Sequence, residues 1–475
     1  MKLQLSSGFR QSMLYGISIA MMKGISLLML PFIAQHLSNS EFGRLEVISS
    51  LAIIGSILVG MGMEDTLFRF IGSAKNEQQR AKVGAQIFSL TLLIAVPALI
   101  IGWFAAATIA AWIPGNPSTY EVRLLLAVLA LEGCIAVPLG WLRIKNRAMS
   151  FFIASFGRAF IQAVLVVIFL SLQRGVAGIL EAGLIAAVIQ TVLLCYWQIR
   201  DTGLAFSVKT GRSAFIYSLP IVASGLVAFA LNGLDRWVLA EYSSLADVAD
   251  FSIAAKFALA TVLLLQPFGM WWSPRRFAVL SENGGAQKVA RFTAMGGALA
   301  ILIATLVALI SPALIAYLLP ESYIVAGEYA VALVLIMLLK ELVELFNIGC
   351  FSGKTTNSQF IINLFSALVG IACMLLLTPL YQVWGVIFSL LIAQFIRLLL
   401  FYQVSQYFLK LNYPISNLLK MALLAFIWLA LGSQTEHLGQ LSLLILAASG
   451  TLLGAAHYLE LLNLPFKLKQ KVVSQ

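Results

Sequence analysis

Six basic residues stand inside long apolar blocks: Lys23, Arg158, Arg236, Lys256, Lys340 and Arg397. At the centre of a membrane helix a basic side chain costs about 2.5–3.5 kcal/mol, so one persists where it faces protein, water or an anion. Guanidinium groups clasp phosphate oxygens in pairs, and ammonium groups supply a point charge. Such groups can therefore bind an anion. Lys23, Arg236, Arg397 and Lys256 are the candidate binding residues, although Lys23 could equally serve a structural ion pair and Arg397 and Arg158, nearer block ends, could snorkel to the interface. The acids in the same blocks are Glu64, Asp65, Glu132, Glu181, Asp235, Glu341 and Glu344. Glu132 and Asp235 are the deepest. A carboxylate stripped of water takes up a proton more readily, which makes these two the candidates for ion coupling. Adjacent helical residues point about 100° apart, so Asp235 and Arg236 are not expected to neutralise each other; Lys256, one block later, is the expected partner of Asp235. Lys340 and Glu344, spaced i,i+4, can pair locally.

The elements that must position these charges are helices. The chain has 475 residues, 61% of them hydrophobic and 11% charged, against roughly 25% charged in a soluble domain. The apolar residues come in blocks matching the length a helix needs to cross hydrocarbon, and the period-2 alternation of a membrane barrel is absent. Polar breaks delimit blocks at roughly 11–36, 45–69, 83–112, 121–145, 149–172, 175–199, 213–241, 246–273, 290–318, 325–349, 356–378, 382–407, 415–432 and 438–460. The expectation is an all-α integral membrane protein of about 14 transmembrane helices. The first block, from about Met13 to Ala34, reads as a span rather than a cleaved leader. With the N-terminus inside, 22 of the 31 Lys and Arg residues fall on the cytoplasmic side and 3 (Arg44, Arg123 and Arg174) on the other. This places both termini in the cytoplasm. The net charge of +11 is then an orientation signal and calls for no nucleic-acid partner.

An internal repeat gives the organisation. "HLSNSEFGRLEVI" follows the first block and "YSSLADVADFSIA" the seventh, pairing Glu41-Phe42 with Asp247-Val248; "TLFRF" and "SPRRF" follow, pairing Arg69-Phe70 with Arg276-Phe277. Six intervening spans make the repeat parallel, related by an axis along the membrane normal. The expected domains are a six-helix bundle at 11–205, a second at 210–410, and two additional helices at 411–463. No P-loop pattern occurs, the outer loops are short, and the three histidines show no metal-binding spacing. Neither an enzyme, a cofactor nor a metal site is expected. Cys134, Cys195, Cys350 and Cys373 read as small apolar residues. Gly450-x-x-x-Gly454 in the last block is a small-residue packing pattern.

Three segments carry a family resemblance: "LSNSEFGRLEVISS", "LPIVASGLVAFALNGLDRWVLAEY" with Asn232, Asp235 and Arg236, and "DFSIAAKFALATVLLLQPFGMWWSPRRF" with Lys256, Gln266, Trp272 and Pro274. They resemble the polysaccharide (O-antigen type) flippases, the polysaccharide-transport branch of the multidrug/oligosaccharidyl-lipid/polysaccharide (MATE/MOP) exporter superfamily. The resemblance implies two six-helix bundles in a bacterial cytoplasmic (inner) membrane. It also implies translocation of undecaprenyl-diphosphate-linked oligosaccharide to the outer leaflet by alternating access. The implied partners are that lipid-linked oligosaccharide, membrane lipids, a polysaccharide polymerase and glycosyltransferases. A cation-coupled multidrug antiporter and a lipid II flippase are the alternatives within the superfamily. Trp271, Trp272, Tyr217 and Phe229 are aromatic residues that could stack on sugar rings.

Overall fold

The computed structural model describes residues 7–60, 62–352, 357–435 and 438–462. The described residues form helices and no strands: α1 (Ser7–His36), α2 (Asn39–Gly60), α3 (Met63–Gly72), α4 (Glu77–Trp112), α5 (Thr119–Ala130), α6 (Glu132–Ile144), α7 (Ala148–Ser171), α8 (Gly175–Thr202), α9 (Val208–Asn232), α10 (Leu234–Tyr242), α11 (Leu245–Trp272), α12 (Arg276–Leu280), α13 (Gly285–Leu318), α14 (Ala326–Phe346), α15 (Ile348–Ser352), α16 (Asn357–Phe408), α17 (Ile415–Gly432) and α18 (Leu438–Tyr458). Among them, 11 segments are long and apolar enough to cross a membrane. One, α16, spans 52 residues and is broken by Gln382, whose φ of 51° departs from helix. That break separates the apolar blocks read at 356–378 and 382–407. The lysine-bearing end of the chain, Lys467, Lys469 and Lys471, and Lys354 and Lys2 lie outside the described residues.

Polar side chains fix where helices begin. Asn76 accepts from the Gln79 backbone at 2.8 Å to open α4, and Ser118 with Glu121 forms a reciprocal capping box on α5. The two repeat segments are caps as well. The Ser38 hydroxyl donates to Glu41 at 2.8 Å and accepts the Glu41 N–H at 3.3 Å, opening α2. Ser244 does the same with Asp247, at 2.7 and 3.1 Å, opening α11. These two starts touch: a Cβ on Gly43 would lie 1.7 Å from the Leu245 carbonyl oxygen. Only glycine allows that approach. Gly62, with φ of +58°, sits between α2 and α3 in the left-handed region that glycine occupies without strain.

The described residues group into two compact units. The first comprises those up to Ser252 together with Gly370–Val386; the second comprises Ile253–Val369 and those from Ile387 onward. In the first, Met63, Leu67, Ile87, Phe88, Val137 and Trp141 make a buried core between α3, α4 and α6. Here α9 and α10 pack on α2, and α9 also on α3 and α4. In the second, α13 is the axis. Its Ala294, Ala298 and Ile301 pack against Met421 and Ala425 of α17 and Leu452 and Ala456 of α18. The seam on α18 therefore runs through Leu452 and Ala456, one face away from Gly450 and Gly454, next to whose Cβ positions no atom lies within 4 Å. All four cysteines are free, Cys134 and Cys350 buried.

Candidate functional site

Within the first unit, α1, α3, α6, α7 and α8 enclose a cavity of about 460 Å³. Met22, Ile25 and Met29 of α1 give it an apolar wall. Glu64, Glu132, Arg143, Arg158, Gln162 and Gln190 give it a polar one. Glu64 and Arg143 close on each other at 2.6 Å. Arg158 is held differently. The Gln190 amide donates to the Ala154 carbonyl at 3.2 Å, which turns its oxygen to accept from Arg158 at 3.1 Å. A neutral amide thus orients the guanidinium, and the Glu132 carboxylate, too far for an ion pair, attracts it across the cavity. Glu132 lines the same cavity and forms no hydrogen bond or ion pair among the described residues. The chamber therefore contains one ion pair, one amide-bound cation and one further carboxylate.

The other sequence candidates are placed apart from it. Lys23 lies on α1 beside Met22 but is exposed and absent from the cavity wall. Asp235 and Arg236 open α10 after the break at Gly233. There the Asp235 carboxylate accepts both the Arg236 backbone N–H at 2.8 Å and its guanidinium at 2.9 Å, while Glu46 of α2 approaches Arg236 at 3.8 Å. The expectation that these neighbours could not neutralise each other is corrected. In the first turn of a helix the backbone N–H is free to be capped, and a long arginine can fold back onto the capping carboxylate. Arg236, Glu46 and Asp235 are only 16%, 12% and 7% exposed. Trp237 adds a 2.6 Å hydrogen bond to Ser50, so the triad and this bond clamp α10 onto α2.

In the second unit Arg397 donates to Asn363 at 2.8 Å and to Gln394 at 3.4 Å, with Glu344 at 3.5 Å and the Phe401 ring centroid at 5.5 Å. Glu344 is 57% exposed, so its screening by solvent leaves most of the guanidinium charge in place. Lys256 is half-buried on α11. Trp272 is buried and meets Trp271 and Phe292 at 6.0 and 5.2 Å, which assigns it to packing. Sequence reasoning gave Arg158 only a snorkelling alternative and missed the chamber. Its one available signal was the glutamines at 162 and 190, polar residues inside apolar blocks, but their convergence depends on helix packing. No group of His, Cys, Asp and Glu among the described residues could hold a metal ion.

The polysaccharide biosynthesis protein family matches residues 9–278, more than half of the chain. The chain belongs to that family. No curated relative matches it. Among solved structures, the fold is similar to that of a lipid II flippase, MurJ, in an inward closed conformation, with a TM-score of 0.73, 16% identity, and coverage of 94% of this chain and 98% of that one. A multidrug resistance MATE family transporter of the MOP superfamily is similar in its inward-facing conformation, with a TM-score of 0.62, 18% identity, and 86% and 95% coverage. Its outward-facing conformation gives a TM-score of 0.52 at 17% identity, with 86% and 97% coverage. The chain thus has an all-helical fold similar to that of these transporters.

Proposed function

We propose that this protein flips undecaprenyl-diphosphate-linked oligosaccharide from the cytoplasmic to the outer leaflet by alternating access, for assembly of a surface polysaccharide such as O-antigen, capsule or exopolysaccharide. The family match supports the cargo class, and one geometric observation carries the headgroup assignment: Arg158 is fixed in a membrane-embedded chamber by a neutral amide and keeps its charge for an incoming anion. Lys23, Lys256 and Arg397 complete the proposed set of cargo cations. Several moderate contacts at different depths let the diphosphate be stripped of water and then released, where one deep site would trap it. Arg236, assigned from sequence to the cargo, is reassigned to holding α10 on α2. Glu132 is the proposed proton carrier. Asp235 is not, because its carboxylate is already engaged by the Arg236 backbone N–H and guanidinium. The bundles at 11–205 and 210–410, the added helices at 411–463, the cytoplasmic termini, the inner-membrane location and the polymerase and glycosyltransferase partners are parts of the same proposal.

The test uses proteoliposomes loaded with a fluorescent diphosphate-linked oligosaccharide and scores its exposure to an impermeant glycosidase. Wild-type protein should expose cargo from the opposite leaflet faster than empty vesicles. Equal rates would remove the flippase reading. A second reading, lipid II translocation, is favoured by the fold match over nearly the whole of both chains. Rescue of a strain lacking its lipid II flippase, without transport of the oligosaccharide, would select it.

A further inference from the structure

At one end of the second unit, the start of α13, the segment before α17, the start of α17 and the end of α18 surround a cavity of about 790 Å³. It lies outside the first unit's chamber and takes no part in the proposed transport chemistry. Arg291 of α13 and Glu460 after α18 both line it. Opposite charges sharing one cavity would ordinarily pair, yet neither forms an ion pair among the described residues. Glu460 is also held in an unusual backbone conformation. Its φ is +58°, and its N–H donates to the His457 carbonyl at 3.1 Å while Leu461 reaches back to Ala456 at 2.9 Å. This is the left-handed position that ends many helices and is normally filled by glycine. A glutamate there puts a carboxylate at the cavity lip at the expense of backbone ease.

Two more side chains are fixed here. The His457 Nδ1 contacts the Leu462 carbonyl at 3.2 Å, and a carbonyl only accepts, so Nδ1 is the donor there. Asn417 donates its amide to the Leu459 carbonyl at 3.1 Å, which leaves its side-chain oxygen as an acceptor. The cavity wall thus combines one guanidinium with two acceptors, the Glu460 carboxylate and Asn417 Oδ1.

We propose that this cavity binds a phospholipid whose headgroup joins a phosphodiester to a primary ammonium, that is, a phosphoethanolamine lipid. Arg291 takes the phosphodiester oxygens. The ammonium has N–H donors for both acceptors and a positive charge opposite Glu460. A phosphocholine headgroup has the same charges and no N–H donor. A phosphoglycerol headgroup has the phosphate and no cation, which leaves Glu460 facing an anion. Basic cavities at helix ends are known places for anionic headgroups; the carboxylate is what turns this one toward a zwitterion.

The experiment is native mass spectrometry of the full chain, delipidated in detergent and titrated separately with phosphatidylethanolamine, phosphatidylcholine and phosphatidylglycerol. Phosphatidylethanolamine should bind at least tenfold more tightly than either of the others. Arg291→Gln should weaken all three. Glu460→Gly should remove the preference for phosphatidylethanolamine while keeping or raising the melting temperature, because glycine suits φ +58°; this variant separates loss of binding from loss of fold. Equal affinity for the three lipids, tighter binding of phosphatidylglycerol, or an unchanged preference in Glu460→Gly would overturn the proposal. Displacement of the lipid by an equimolar amount of soluble glycerophosphoethanolamine would overturn its assignment to the bilayer.

Discussion

Arg236 and Arg158 are alike in sequence and unlike in the fold. Each is an arginine within a long apolar block of the same structural unit. Arg236 has two carboxylates, Asp235 at 2.9 Å and Glu46 at 3.8 Å. Arg158 has the oxygen of Gln190 at 3.1 Å. The first charge is consumed in joining α10 to α2; the second is bound by an amide and faces a chamber that Glu132 also lines. On the proposed function, depth in the membrane does not by itself mark a cargo-binding cation; the chemistry of the group bonded to it does. Arg397 lies between these cases, with two amides and one exposed carboxylate.

The sharpest way to break this comparison is through stability. Arg236→Met strands two largely buried carboxylates and should cost about 3–5 kcal/mol, the usual penalty for removing one member of a buried pair. Combining it with Asp235→Asn and Glu46→Gln should restore most of that loss. Thermal unfolding in detergent reads both outcomes, and a triple variant as unstable as the single one would show that the triad is not the joint. Trp237→Phe removes one hydrogen bond to Ser50 and should cost about 1 kcal/mol by the same assay; no change would mean that the triad alone holds α10. The smallest effect on stability is expected for Arg158→Met. Losing a donor to Gln190 costs about 1–3 kcal/mol, and relief from burying the charge returns about 2.5–3.5 kcal/mol, so the two nearly cancel. A large destabilisation would place Arg158 with Arg236 as a structural residue.

Much of the fold was legible because single-helix features write themselves locally. Most of the apolar blocks reappear as helices, while those at 45–69, 121–145 and 213–241 are each divided in two, near Gly62, Leu131 and Gly233. The repeat seen as Glu41-Phe42 and Asp247-Val248 is a pair of serine N-caps, each serine hydroxyl accepting the N–H of the acid three residues on. Both caps depend on backbone groups within one turn, which sequence spacing determines. The failures have physical causes too. The rule that adjacent helical residues diverge holds inside a helix, whereas Asp235 begins one, after Gly233 has interrupted the chain. The chamber escaped because Glu64, Glu132, Arg158 and Gln190 come from four helices, and only packing brings them to one cavity.

The most direct test of the central claim compares two variants in the reconstituted flipping assay, each scaled to the amount of folded protein in the vesicles. Arg158→Met should lower the rate of cargo exposure at least tenfold while retaining wild-type thermal stability. The triple variant Asp235→Asn, Glu46→Gln and Arg236→Met should flip at close to the wild-type rate. Wild-type flipping by Arg158→Met, alongside loss of flipping in a stably folded triple variant, would contradict the account and return the cargo contact to Arg236.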